Sequence, residues 1–247
     1  MIKNTFIFLP GFGDKKEKEL WKQGINDWND FLNANEIKGI SKENKVKFDT
    51  IIEHAKKSLF LEDYSYLAKI IPKAYHWRFY NHLKEDAYFL DIETFNNNNN
   101  ISVVGLFDGI ETKMFINGIN LYRDQFIQTL GNCNCMITFN GLSFDVPKLQ
   151  KHFSFNFNLP HIDLRYVCSQ IGLVNGLKNI EKELGIERRE ELKLLRGHNA
   201  VELWKMWKAT GDKYFLELLI KYNEEDIINL KQVAEYAIPK LWEKVRG

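Results

Sequence analysis

The chain has 247 residues, 45% of them hydrophobic, and a net charge of +1, enough to bury a full core in one large domain or one domain with a small extension. No uninterrupted apolar run approaches the ~20 residues of a membrane helix, so a soluble, cytoplasmic protein with no membrane partner is expected, and Cys133, Cys135 and Cys168 are too few and wrongly spaced for a disulfide framework or a structural zinc. Residues 1–84 carry 15 basic against 11 acidic side chains and residues 85–247 carry 19 against 22, net +4 and −3, an asymmetry too small to assign a partner by itself.

In chain order, residues 14–84 read as helical: Leu20, Trp21, Ile25, Trp28, Phe31 and Leu32 recur at near-helical spacing, and a second periodic stretch runs from Ile51 to Ile71, ending at Pro72. From about Ala87 the period changes. Tyr88–Glu93, Ile101–Phe107 and Thr112–Ile116 read as an antiparallel meander, with Asp108-Gly109 as the turn between the last two and Asn96–Asn100 as a solvated loop. A helix over Leu121–Leu130, a strand over Cys135–Phe139, a helix over Val146–Phe153 and a short strand over Ile162–Leu164 complete an alternating α/β portion. The chain beyond Gly176 reads as mostly helical.

Three short segments carry the chemistry. Residues two apart on a strand face the same side, so Asp91 and Glu93 in Phe89-Leu90-Asp91-Ile92-Glu93-Thr94 project together while Leu90 and Ile92 enter the opposite packing face. Two acids among such apolar neighbours are costly inside a sheet unless a cation neutralises them; the competing reading is a pair of strand-end carboxylates at the surface. Asp145, in Thr138-Phe139-Asn140-Gly141-Leu142-Ser143-Phe144-Asp145, follows a strand and lies two residues before Pro147, so a helix N-cap competes with a catalytic role. Asp226, in Tyr222-Asn223-Glu224-Glu225-Asp226, reads either as a site residue or as part of a solvated acidic face, and Tyr222, one helical turn earlier, shares its side of the helix.

These segments resemble the three exonuclease motifs of the DEDD superfamily in its tyrosine version: Asp-Ile-Glu, then Asn-x-x-x-Phe-Asp followed by proline, then Tyr-x-x-x-Asp. The second is similar to the proofreading exonuclease of family B DNA polymerases, and the wider chain resembles the standalone YprB-like exonucleases through Leu9-Pro10-Gly11-Phe12-Gly13, Leu20-Trp21-Lys22-Gln23-Gly24-Ile25, His161-Ile162-Asp163-Leu164-Arg165 and Gly176-Leu177-Lys178-Asn179-Ile180-Glu181. The resemblance implies a ribonuclease-H-like α/β fold over residues 85–247, a mixed five-stranded sheet with flanking helices, preceded by a helical segment over residues 1–84. It also implies a 3′-to-5′ exonuclease releasing 5′-mononucleotides from single-stranded DNA ahead of RNA, through two divalent cations, Mg2+ or Mn2+. Asp91, Glu93 and Asp226 would hold one ion, Asp91 and, through water, Asp145 the other. Tyr222 would orient the attacking water, and Thr94, Asn140 and Phe144 would contact the substrate, Phe144 by stacking.

Leu9–Leu32 also resembles a helix-hairpin-helix whose Pro-Gly-x-Gly turn offers amides to phosphate, against the plainer reading of a glycine turn between packed helices. Gly197-His198-Asn199-Ala200-Val201-Glu202 imitates the histidine version of the third motif, but Leu203 stands where that version needs aspartate, leaving His198 as a cap or packing residue. Asp163-Leu164-Arg165 reads either as support for the site or as a surface ion pair. A structure-specific endonuclease, an exoribonuclease of the same fold and a non-catalytic nucleic-acid-binding module remain the alternatives.

Overall fold

In the computed structural model, which describes residues 1–95, 100–192 and 197–247, β1 (Ala87–Phe95) is the central strand of a five-stranded mixed sheet. β2 (Asn100–Phe107) pairs antiparallel with β1, and β3 (Thr112–Ile116) antiparallel with β2. On the other side β4 (Cys135–Thr138) and β5 (His161–Asp163) run parallel to β1, giving the order β3-β2-β1-β4-β5. The β2–β3 turn closes as Asp108-Gly109 predicts: Asp108 Oδ1 accepts the amides of Ile110 and Glu111 at 2.9 and 2.8 Å, and Gly109 takes a φ of 95° that an L side chain resists.

The two-residue period of β1 divides the core. Leu90 and Ile92 join Phe126 of α6 (Arg123–Thr129) and Leu149 and Phe153 of α7 (Asp145–Phe153) on one face. Ala87 and Phe89 face the other way, toward α8 (Leu164–Gln170), α9 (Leu177–Leu184) and the long C-terminal helix over Lys213–Arg246. That last helix, α11, lies across β1 and β2 beside α10 (Gly197–Thr210).

The expected N-terminal helical segment is present as α1 (Asp14–Lys22), α2 (Trp28–Asn33), α3 (Lys42–Phe60), α4 (Tyr64–Ile70), a 3-10 stretch at Lys73–Phe79 and a single turn, α5 (Tyr80–Leu83). Asp27 caps α2 by accepting from the amides of Asn29 and Asp30, while Asp30 reaches back to the Asp27 amide, a reciprocal arrangement that supplies two of the helix's orphan donors. Phe6, Trp28 and Phe31 of this segment belong to the same apolar cluster as Ile238 and Leu241 of α11. At its centre Glu17 and Arg78, both fully buried, pair at 2.7 Å, and Glu17 also accepts from Thr5 Oγ1 and the Phe6 amide.

Several boundaries differ from the sequence expectation. The periodic run from Ile51 to Ile71 is two helices, because Glu62 takes a φ of 57° and Asp63 then caps α4. Leu164 opens α8 rather than closing β5, since Asp163 accepts from the Arg165 amide as an N-cap. At the Pro-Gly-x-Gly segment a helix begins at Asp14, directly after Gly13, while the element ahead of Gly11 is a 3-10 turn, Ile2–Asn4, rather than an α-helix. Of the Asn96–Asn100 loop, Asn100 begins β2 and residues 96–99 lie outside the described residues, as does the side chain of His198. All three cysteines are free and buried, and burial pushes the thiols of Cys133 and Cys168 up to about 12. Among the described residues no helix is long and apolar enough to cross a membrane.

Candidate metal centre

β1 presents Asp91 and Glu93 to the face that α11 covers, and α11 returns Asp226 to the same place. One carboxylate oxygen from each of Asp91, Glu93 and Asp226 lies within 4.8 Å of the others. Glu93 and Asp226 are buried and Asp91 half-buried, so neither the surface-pair reading of β1 nor the solvated-face reading of the acidic run describes these groups. The neighbours of Asp226 are engaged too: Glu224 accepts from Thr112 Oγ1 at 2.7 Å and Glu225 from the Arg189 amide at 2.9 Å.

Close approach of α11 depends on a residue without a side chain. Gly105 of β2 pairs across from Asp91, and a Cβ there would come within 2.1 Å of Asn223 Oδ1. The space admits Asn223, whose Nδ2 donates to Asp91 Oδ2 at 2.7 Å and so fixes one oxygen of the acid. A register shift between Glu93 and Thr94 then breaks the β1–β2 ladder just past the acids, and Thr94 sits half-buried beyond that bulge.

Asp145 is the first residue of α7, and its side chain does not cap that helix. Buried, it accepts the Ile92 amide at 3.0 Å, the amide that lies between the two acids of β1. Asp145 is thereby tied to the strand that carries Asp91 and Glu93, and its charge acts on both.

Tyr222 is buried on the same side of α11, with Lys178 Nζ 4.5 Å from its ring centroid and the Arg188 guanidinium 6.0 Å away. The loop from β4 to α7 carries Asn140 and Phe144. Asn140 holds a φ of 69°, and its Oδ1 accepts from Arg165 Nη1 at 2.6 Å and Ser143 Oγ at 3.0 Å. Phe144 is half-buried, with the Lys148 ammonium 4.3 Å above its ring.

Asp163 anchors that loop. Its carboxylate accepts from the amides of Asn140 at 2.7 Å, Leu142 at 3.2 Å and Arg165 at 3.0 Å, while the Arg165 guanidinium turns to Asn140. The surface ion pair that the Asp-Leu-Arg triplet suggests is replaced by this backbone grip.

The electrostatics follow from burial. All four carboxyl groups are raised above the ordinary carboxylate range, first by loss of water. Asp91 and Glu93 are pushed well up, each further raised by its acidic neighbours. Asp145 rises to about 7; Asp226 rises only to about 6, because the Arg188 charge and hydrogen bond oppose its burial. Burial and then Asp226, Glu93 and Asp91 drive the Tyr222 hydroxyl above its usual value, so it stays protonated at any physiological pH. Acids so crowded repel one another as anions, and a divalent cation relieves that repulsion. The donors are all oxygen, a set that suits magnesium or manganese and disfavours zinc.

Gly105, Arg188 and Asn229 complete the surroundings and carry no motif in the sequence, while Glu181 and Asn223 lie inside recognisable segments in which neither is singled out. Asn223 had one available signal, since it lies three residues from Asp226 on a helix and so on a neighbouring face.

Residues 88–238 match the RNase_H_2 family, described as RNase_H superfamily. No curated protein matches the chain by sequence. Among solved structures, the family B DNA polymerase from the hyperthermophilic archaeon Pyrobaculum calidifontis is similar in fold, with a TM-score of 0.51 at 16% identity over 62% of this chain. The aligned part spans 24% of that polymerase chain. With the family's match running from β1 into α11, across every strand and every acid of the cluster, the chain belongs to the RNase_H superfamily.

Proposed function

We propose that this chain is a metal-dependent 3′-to-5′ exonuclease of the DEDDy type, akin to the YprB-like standalone enzymes, that removes 5′-mononucleotides from single-stranded nucleic acid, DNA ahead of RNA. The observation that carries the reading is the meeting of Asp91, Glu93 and Asp226 within 4.8 Å, with Asp145 hydrogen-bonded to the strand between the first two. Asp91, Glu93 and Asp226 would hold one Mg2+ or Mn2+, and Asp91 and, through water, Asp145 the second. Two such ions, when bound, activate the attacking water and neutralise the departing 3′ oxygen.

The remaining roles belong to the chain's own groups. The Tyr222 hydroxyl, kept protonated by its surroundings, donates a hydrogen bond that orients the water and does not act as the base. Asn140, held by Arg165 and Ser143, contacts the terminal nucleotide. Phe144 offers a ring to a base once Lys148 swings from its face to the phosphate backbone, and Thr94 borders the scissile bond from β1. Residues 85–247 carry this chemistry, and residues 1–84 brace it.

A denaturing-gel time course tests the reading, using 5′-labelled linear DNA and RNA of one sequence beside circular single-stranded DNA, with magnesium or with chelator. Progressive shortening of the linear strands, DNA faster, with the circle intact and no reaction in chelator, is expected. Early release of labelled mononucleotide reverses the polarity, cutting of the circle makes the protein an endonuclease, and binding without cleavage in magnesium leaves a non-catalytic module.

A further inference from the structure

Arg188 is a buried arginine, its side chain 7% exposed, and it sits in a three-way network beside the acids. Nε and Nη2 donate to the two oxygens of Glu181 at 2.6 Å each, in the bidentate fork that a guanidinium forms with a carboxylate. The same Nη2 donates to Asp226 Oδ1. Asn229 Nδ2 adds a bond to Glu181 Oε1 at 3.1 Å, and Glu181 and Asn229 are themselves buried. Arg188 Nη1 is buried without a hydrogen-bond partner among the described residues.

For stability alone this is a poor arrangement. Burying charges costs several kcal/mol per ion before their attraction is counted, apolar replacements of similar volume often serve as well, and an unspent donor adds to the cost. What the network does supply is direction. Held at both ends of its fork by Glu181, the guanidinium cannot follow Asp226; Asp226 must come to it. One carboxylate oxygen is thereby engaged, the plane of the group is set, and Oδ2 is left for another partner. Lysine, a point charge on a flexible stem, has no fork to be anchored in this way.

We propose that Arg188 is a positioning residue for Asp226: the Glu181–Arg188–Asn229 network holds Oδ1, presents Oδ2 to the cation, and so sets the affinity of the acid centre for divalent metal. The proposal rests on the reading of Asp91, Glu93 and Asp226 as a cation centre. It assigns Arg188 no contact with substrate. Its effect is on metal binding in the resting protein, before any nucleic acid arrives.

Mn2+ titration of the full chain without substrate, followed by electron paramagnetic resonance, tests it. Arg188→Lys keeps the charge and loses the fork, and is expected to weaken Mn2+ binding by roughly 10- to 100-fold, the size of effect that groups orienting a ligand have on metal affinity. Glu181→Gln keeps both the guanidinium and the local volume while loosening the anchor, and is expected to weaken binding in the same direction; it decides the matter if Arg188→Lys does not fold. Wild-type affinity in these folded variants would reduce Arg188 to a structural ion pair and overturn the proposal. Tighter binding in Arg188→Gln would also overturn it, by showing that the guanidinium merely competes with the metal. A wild-type protein that binds no Mn2+ would remove the cation centre itself, and with it both readings; Asp226→Asn, expected to lose the signal, identifies the site being titrated.

Discussion

Asp145 Oδ1 accepts the Ile92 amide at 3.0 Å, so an acid at the start of α7 grips β1 at the peptide between Asp91 and Glu93. The contact gives Asp145 two separable duties, one as a charge and one as an acceptor. Asparagine keeps the acceptor and loses the charge. Asp145→Asn should therefore melt at or above the wild-type temperature in the absence of metal, since one of four crowded acids is gone, yet hydrolyse DNA about 100-fold more slowly or worse. Asp145→Ala should lose activity and also melt lower, because the Ile92 amide is left buried without a partner. Equal activity in the asparagine variant would leave Asp145 a structural residue only.

The four raised carboxyl groups make the metal-free protein sensitive to alkali. A folded pKa above the unfolded one means that the contribution to stability is complete below about pH 4 and is lost as pH rises through the folded values, about 6 for Asp226 and about 7 for Asp145. The buried imidazole of His161, pushed down to about 3 by burial, works the other way: its contribution is complete above pH 6.5 and fades toward acid. Taking the difference between melting temperatures with and without Mn2+ cancels the histidine. That difference should grow steadily from pH 6 to pH 8, as protons cease to compete with the ion. A difference independent of pH would show the ion binding somewhere other than these acids.

Gly105 is the point where β2 lets α11 in. Alanine there places a Cβ 2.1 Å from Asn223 Oδ1 and 3.0 Å from Ile227 Cδ1, so the side chains of both must shift. Gly105→Ala should destabilise by roughly 1–3 kcal/mol, as overpacking does, and should weaken Mn2+ binding as well, because Asn223 must withdraw from Asp91. Urea unfolding reads the first effect and metal titration the second. An unchanged Mn2+ affinity would mean that Asn223 has no part in placing Asp91.

The acid cluster is legible in the sequence where it is local. Asp91 and Glu93 share a strand period, Tyr222 and Asp226 a helical turn, and Asp108-Gly109 announces its own hairpin. The limits were equally physical. Arg188 meets Asp226 across 38 residues of chain, from a stretch between helices where no period applies. Gly105 looks like any strand glycine until Asn223 occupies the space it leaves. The apolar period continues through Glu62, so the break between α3 and α4 leaves no mark in it, and the Asp163 cap that turns Leu164 into α8 shows only once the Arg165 amide has come round to it. Strand order depends on packing between segments far apart in sequence and is not written in any of them.

Tyr222 separates packing from catalysis in one atom. Phenylalanine retains the ring beneath Lys178 and loses only the hydroxyl that burial and three acids keep protonated. Tyr222→Phe should therefore keep the wild-type melting temperature and substrate affinity and lower turnover by roughly 10- to 1,000-fold. Because no titration of the tyrosine is involved, the pH profile of the residual activity should keep its wild-type shape. Undiminished turnover would make Tyr222 a core residue alone.

The Glu17–Arg78 pair lies within residues 1–84, Arg78 reaches α11 at Trp242, and the burial of the pair makes it a sensitive reporter. Arg78 lies over the rings of Tyr75, Trp77 and Trp242, the last on α11, with centroid distances of 5.0, 5.3 and 5.9 Å. Removing the cation strands Glu17 in an apolar interior, so Arg78→Met should cost roughly 3–5 kcal/mol in urea unfolding. Adding Glu17→Gln to that variant removes the stranded charge while retaining an acceptor for the Phe6 amide, and should restore much of the loss; recovery of this kind is the sign of a coupled buried pair. Because the same cluster contains Phe31 and Leu241, the loss should appear in one transition, with tryptophan fluorescence and far-ultraviolet circular dichroism coinciding. An early transition confined to the N-terminal helices would show instead that residues 85–247 hold together without them, and the brace would be a separable domain.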